Sequence, residues 1–431
     1  MTFVSSLCFV IAFFIGVSCL PRGADVFSPA RVYGFMWSVA LGLADLKFSA
    51  YQHAWGTFAW IAMLLGIVSF LLGVFFVEVL CLEQKMFSVE NVRDHIKKEL
   101  FSVGVLFNMI ILLFACYSVG YIIEWLAFGV LPIFAPFPEK ARIEYGVFGV
   151  HLFQSLMPII LFLIVEFFML VRKAPIRKIL LVLVFFVTFV SYFLLLNRFI
   201  YAMVFFMVIG FAYYSSRIVK FKYLTVPILL LLAAMIYLQS IRESHYVENY
   251  LYVVSRMRFS KTYAALTTPY MYIVMNLENF ARASERLGRH AYGYFSFDVV
   301  LALTGLKHWI EDYFSLKERV FLNSGYNTFP YFWDYYYDFG VFGIAFVPAL
   351  VGATFAWLHK RMRTRPSISS VALYSVAVFV MVLSFFTNTL SSLNFVFAVI
   401  ALVAVQSVIR RLSSNARRAS FDAFGPEVRV R

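Results

Sequence analysis

The side chains with the capacity for chemistry gather in two places. One is the junction Leu196-Asn197-Arg198-Phe199, where a single arginine stands between two apolar runs. Its forked donors suit a phosphate held at the mouth of an intramembrane cavity, and they serve equally well as a snorkelling group that marks the membrane interface. The other is the polar segment that begins at Ile241. It carries Arg242 directly after an apolar run, then Arg256 and Arg258, which flank Met257 and so diverge on a helix, leaving one to face a given site. Basic residues outnumber acidic ones over 241–330. Singly they read as solvated charges; together they form a field suited to an anionic substrate.

Proton acceptors in this segment are His245, His290, His308, Asp334 and Asp338. Asp334 and Asp338 are spaced to share one side of a helix, which would raise the pKa of one of them. Asp338 also stands where it would cap a helix running from Phe339 to Leu358. Nine aromatic residues fall among the fourteen from Tyr326 to Phe339, interleaved with Asn327 and the two aspartates. Such a stretch fits an aromatic belt at the bilayer surface, and it fits a sugar-binding surface of flat faces and polar groups.

These residues require elements that place them at a membrane. The chain is 62% hydrophobic and 14% charged over 431 residues, with a mean hydropathy of +0.82. Soluble domains carry about a quarter charged residues, so this is an integral membrane protein, and its long continuous apolar runs indicate helices and not a barrel. Runs at Phe3–Leu20, Val32–Ala50, Trp55–Val79, Phe101–Phe128, Phe148–Val171, Ile179–Leu196, Phe199–Tyr214, Tyr223–Gln239, Asp338–Leu358, Val371–Phe386 and Phe395–Ile409 predict an all-α polytopic fold. That is about 11 transmembrane helices, within 10–12. The expected organisation is an N-terminal bundle over 1–240, a large extracytoplasmic loop over 241–335 with short surface helices, C-terminal helices over 336–410 and a disordered basic tail over 411–431. Uncleaved, the first run is a helix and not a signal peptide, since no positive n-region precedes it.

Lys and Arg collect at 85–98, 172–178, 217–222, 360–365 and in the tail, all on one side if the helices alternate. That side is expected to be cytoplasmic, and a long outer loop escapes the bias. The same clustering accounts for the net charge of +14 without nucleic acid. The four cysteines lie in or beside apolar runs and form no disulfide or metal framework. No glycine-rich phosphate loop suggests an ATP-driven pump, and Asp45 stands without an acidic partner, so neither a metal nor a cofactor is implied.

The layout resembles the O-antigen polymerases, the Wzy-type oligosaccharide repeat unit polymerases. The resemblance rests on the helix count, the large loop in the second half, Asn197-Arg198-Phe199 at an outward turn, and Asn327-Thr328 followed by Tyr336-Tyr337-Asp338-Phe339-Gly340 and Gly343. It implies an inverting, metal-independent glycosyltransferase of the bacterial inner membrane, with its active face periplasmic and its C-terminus cytoplasmic. The substrates would be undecaprenyl-pyrophosphate-linked oligosaccharides, in a pathway with a flippase and a chain-length regulator. Arg198, Arg242, Arg256 and Arg258 would hold the donor pyrophosphate, His290 or Asp338 would act as base, and Tyr326, Asn327 and Tyr336 would position sugar. An O-antigen ligase, or a flippase or exporter of lipid-linked sugar, are the alternatives; the long loop disfavours the exporter.

Overall fold

A computed structural model of the chain describes residues 2–21, 23–99, 101–197, 199–216, 252–310 and 326–423. Among these residues the regular structure is helical, with one isolated bridge between Ser49 and Met257. Among the described residues six helical stretches are long and apolar enough to cross a membrane: Thr57–Leu80, Val103–Phe134, Val150–Leu170, Pro175–Phe193, Trp333–Thr364 and Leu393–Leu412. Phe3–Ser18, Phe199–Ser215 and Ile368–Leu383 are shorter apolar helices. Of the two other expected crossings, one corresponds to the helix Pro29–Asp45, and the run 223–239 lies outside the described residues.

The chain divides into two compact units that interleave along the sequence. The first comprises Met1–Val89, Lys220–Thr364 and Ala377–Val396; the second comprises Glu90–Val219, Arg365–Val376 and Phe397–Arg431. The elements of the first unit are α1 (Phe3–Ser18), α2 (Pro29–Asp45), α3 (Thr57–Leu80) and, beyond six helices of the second unit, α10 (Thr267–Arg286), α11 (Asp298–Thr304) and α12 (Trp333–Thr364). Local chemistry sets several of their ends. Thr2 caps α1 through the Ser5 amide at 3.2 Å, with Asp45 Oδ2 accepting from the same amide at 3.1 Å, and Pro29 opens α2 where a missing N–H costs nothing.

Close packing in this unit depends on glycine. A Cβ at Gly73 would overlap the Ala349 carbonyl, and one at Gly352 would overlap the Phe70 carbonyl, so α3 and α12 approach backbone to backbone. The two ends of α12 differ sharply. At its C-terminal end Asp25 accepts from His359 Nε2 at 2.8 Å and from Arg363, while Arg363 Nε donates to the Phe87 carbonyl at 2.7 Å. The basic cluster at 360–365 therefore lies at the opposite end of the helix from the aromatic stretch.

The second unit is built on α4 (Val89–Lys98, which begins at the last residue of the first unit), α5 (Val103–Phe128), α6 (Pro138–Glu144), α7 (Met157–Leu170), α8 (Pro175–Phe193) and α9 (Phe199–Ser215). Ser102 caps α5 and Gly129, at φ 70°, closes it in the left-handed conformation that glycine tolerates. Two later helices, α13 (Ile368–Leu383) and α14 (Leu393–Ala423), contribute residues to both units.

Candidate functional site

The stretch from Tyr326 to Gly343 runs into the first unit and back out again. Asn279 Nδ2 holds the carbonyls of Tyr326 and Thr328 at 2.8 and 3.0 Å, and the Tyr331 amide donates to the Ser384 carbonyl at 2.9 Å. At the innermost point Phe332 is fully buried, stacked on Trp37 with centroids 5.2 Å apart. A Cβ on Gly66 of α3 would meet both Phe332, at 2.8 Å, and Ile344, at 3.1 Å. Tyr336, four residues after Phe332, instead approaches Phe58 near the start of α3, with centroids 6.3 Å apart. The chain thus rises from 332 to 339, turns, and descends again past 344.

Gly340 makes that turn. Its φ of 61° and ψ of −143° break α12 into a short arm, 333–339, and a long one, 341–364. Gly343 lies so close to the Tyr335 carbonyl of the first arm that any Cβ would overlap it. Two residues eight apart in an unbroken helix would be separated by about 12 Å along its axis, so this contact requires a fold-back. The aromatic stretch is accordingly core more than belt: Tyr326, Phe329, Tyr331, Phe332, Trp333, Tyr335 and Tyr336 are all buried.

A break leaves carbonyls of the short arm without helical partners. A strap formed by residues 290–296 supplies them. The Ala291 amide donates to the Tyr337 carbonyl at 3.0 Å and the Tyr292 amide to the Asp338 carbonyl at 3.2 Å. Asp338 returns the hold. Its carboxylate, with no exposed surface, accepts from the Phe295 amide at 3.2 Å and from the amide and hydroxyl of Ser296, both at 2.6 Å. Asp338 is therefore not the N-cap of the helix that follows: it lies six residues into α12 and its acceptors are engaged by the strap. Asp334 accepts from Asn388 Nδ2 at 2.9 Å and Ser391 Oγ at 2.7 Å, so the two carboxylates are held by different partners.

His290 sits over the break. Its Nδ1 is 3.2 Å from the Tyr337 carbonyl, which can only accept; this assigns the neutral ring's hydrogen to Nδ1 and the lone pair to Nε2. A Cβ on Gly340 would stand 3.2 Å from that Nε2. Glycine thus serves two needs here, a backbone conformation closed to other residues and a bare surface facing the imidazole. Tyr336 packs edge-on to His290 at 6.3 Å and donates its hydroxyl to the Ser284 carbonyl at 2.8 Å, tying this group to the end of α10.

About two turns earlier on α10, cations gather around one carboxylate. Fully buried Glu278 accepts from the His53 amide at 2.9 Å and Trp55 Nε1 at 2.7 Å, with Lys47 Nζ at 3.6 Å and Arg282 Nε at 3.5 Å. Burial lowers the Lys47 pKa from 10.5, with the Glu278 charge opposing the shift. Arg256, at φ 47°, lies over the Tyr51 ring at 5.8 Å, and Arg258 Nη1 donates to the Lys47 carbonyl at 3.4 Å. Both arginines are exposed. Glu285 is engaged by the Gly56 amide at 3.0 Å.

Of the residues singled out from the sequence, His290, Tyr336 and Asp338 meet at the hairpin tip, and Arg256 and Arg258 meet the 47–53 loop. Tyr326 is buried with its hydroxyl 3.3 Å from Ser255 Oγ, and Asn327 is exposed. Arg198, Arg242 and His245 lie outside the described residues. Lys47, His53 and Glu278 are additions that the structure supplies, since nothing in a lone lysine before an apolar run distinguishes it until residue 278 is folded against it.

No family model matches the chain, and no curated protein or solved structure matches it.

Proposed function

We propose that the protein is a membrane-embedded glycosyltransferase that polymerises lipid-linked oligosaccharide repeat units, as its resemblance to the O-antigen polymerases implies. The observation that carries this reading is His290, whose Nδ1 is fixed by the Tyr337 carbonyl so that the Nε2 lone pair is left beside Gly340, in the same unit in which Glu278 of α10 holds Lys47 and Arg282 and in which Arg256 and Arg258 meet the 47–53 loop. Glycosyl transfer from a lipid pyrophosphate needs these two capacities. An acceptor hydroxyl oxygen forms the bond to the anomeric carbon as the carbon–oxygen bond to pyrophosphate breaks; the hydroxyl proton passes to His290 Nε2 and the departing charge rests on the cations. Asp338 positions the strap that carries His290, and the rings of Tyr336 and Tyr326 back the sugar face, with Asn327 available to hydroxyls. Arg198 and Arg242 are assigned to the donor pyrophosphate on sequence grounds.

The test is His290→Ala in cells deleted for the native gene. Surface polysaccharide is expected to collapse to single repeat units at unchanged protein level, since loss of a general base slows such reactions by about a hundredfold or more. A full ladder of chain lengths overturns the assignment of His290, and a full ladder in the deletion itself overturns the polymerase reading. Long chains left on the lipid carrier would identify a ligase instead.

A further inference from the structure

The segment that follows the strap turns apolar side chains outward. Phe297, Val300, Leu303, Leu306 and Trp309 recur at every third position and are each about half exposed or more, Trp309 at 86%. In α11 that spacing sets Phe297, Val300 and Leu303 on one side, with Val299 buried on another, and Leu306 and Trp309 carry the exposure past Gly305. Asp298 and Lys307 fall between these positions and are half-buried. The short helix α4 has the reverse arrangement: Val92 and Ile96 are buried, and Glu90, His95, Lys97 and Lys98 are exposed. That is the pattern of a short helix whose outer face meets water, whereas the outer face of α11 calls for an apolar partner.

This face runs on to a membrane span. The bonds from the Ala291 and Tyr292 amides to the Tyr337 and Asp338 carbonyls seat the segment at the head of the long arm of α12. A Cβ on Gly293 would stand 2.8 Å from the Phe297 ring and 3.6 Å from the Phe339 ring, so the two side chains flank one point. From Phe339, itself partly exposed, the apolar surface continues through Phe342, Phe346 and Leu350, four residues apart on α12 and each more than half exposed. α12 is one of the helices long and apolar enough to cross a membrane, and an exposed apolar stripe on such a helix meets acyl chains.

We infer that residues 292–309 form a membrane-contacting foot whose partner is a lipid surface, the headgroups and first acyl carbons of the leaflet at the Phe342 end of α12. Phe297, Val300 and Leu303 enter the acyl region. Tyr292 and Trp309, at the two ends of the segment, sit at headgroup level, where amphipathic rings are favoured. A second copy of the chain would also cover an apolar face, but continuity with the stripe on α12 favours lipid, which covers both without a seam. The foot thereby holds His290, two residues before it, at the depth of the headgroups. This assignment concerns where the chain meets the bilayer and stands whether or not the protein is a polymerase.

The test uses the full chain in a cysteine-free background, reconstituted in vesicles of phosphatidylcholine and phosphatidylglycerol. Nitroxide labels are placed on Val300→Cys and Leu303→Cys, with Phe346→Cys on α12 and Lys97→Cys on α4 as references. Power-saturation EPR compares collisions with oxygen, which concentrates in lipid, against those with a water-soluble nickel chelate. The oxygen-to-nickel ratio at 300 and 303 is expected to exceed that at 97 by about threefold or more and to approach that at 346. A ratio equal to that at 97 puts the face in water and overturns the proposal. Low collision rates with both reagents put it against protein, a second copy included, and overturn it too. If a label shifts the thermal transition, Trp309 serves as the native probe: lipid brominated near the headgroup should quench the parent protein more strongly than Trp309→Phe, and equal quenching of the two overturns the proposal.

Discussion

His290 and Lys47 show how little of a side chain's capacity resides in its type. The imidazole becomes a directed acceptor because a carbonyl fixes one nitrogen, and the glycine at 340 keeps a side chain from crowding the other. Lys47 is held at a pKa below 10.5 by burial, and an anion bound beside it would raise that value. The sign follows directly: binding takes up protons, so affinity is complete below the pKa of the free site and falls as pH rises through the pKa of the bound one. Calorimetric titration with a short prenyl pyrophosphate should show this loss at alkaline pH, and Lys47→Arg should remove it, because arginine keeps its charge throughout. A pH-independent affinity in the parent protein would detach Lys47 from the anion.

At the scale of elements, the hairpin tip is the most constrained feature. Gly340→Ala must place a Cβ against His290 in a backbone region almost closed to side chains, a strain of about 1–3 kcal/mol, and is expected to lower the thermal transition and, on the polymerase reading proposed above, to shorten the polymer with it. Asp338→Asn should destabilise by about 1.5–3 kcal/mol, since one of its two terminal atoms becomes a donor facing the Phe295 or Ser296 donors; thermal unfolding in detergent measures it. The sequence makes much of this level readable. Apolar runs, Ser102 before α5 and Pro175 at the start of α8 mark helices where the structure has them. The fold-back is not readable, because Asp338 to Leu358 has the composition of one continuous crossing, and a glycine inside such a run is ordinary until its φ is known. Local sequence allows Asp338 to be cap or base, whereas its partners are 42 and 43 residues away in the chain. Glu278 with Lys47 is a pairing of the same kind, fixed by packing and invisible to spacing.

For the molecule as a whole, the first unit separates its chemistry from its basic anchor. The hairpin tip and strap lie at one end of α12, and Asp25 with His359 and Arg363 at the other. In a cysteine-free background, Asn327→Cys should react with an impermeant maleimide from outside intact spheroplasts, and Arg361→Cys only after permeabilisation; the reverse pattern would invert the topology. The glycine seam between α3 and α12 has a further consequence, for biosynthesis. The ribosome delivers α3 early, with Gly66 and Gly73 presenting a backbone groove to the bilayer, and that groove stays unfilled until the chain has grown past Gly352. A protein stopped after residue 310 should therefore be cleared by membrane proteases, whereas one stopped at Leu412 should accumulate. Nascent chains must spend most of their synthesis with an open seam, and insertion factors that shelter small-residue helix faces would set the yield of the finished protein.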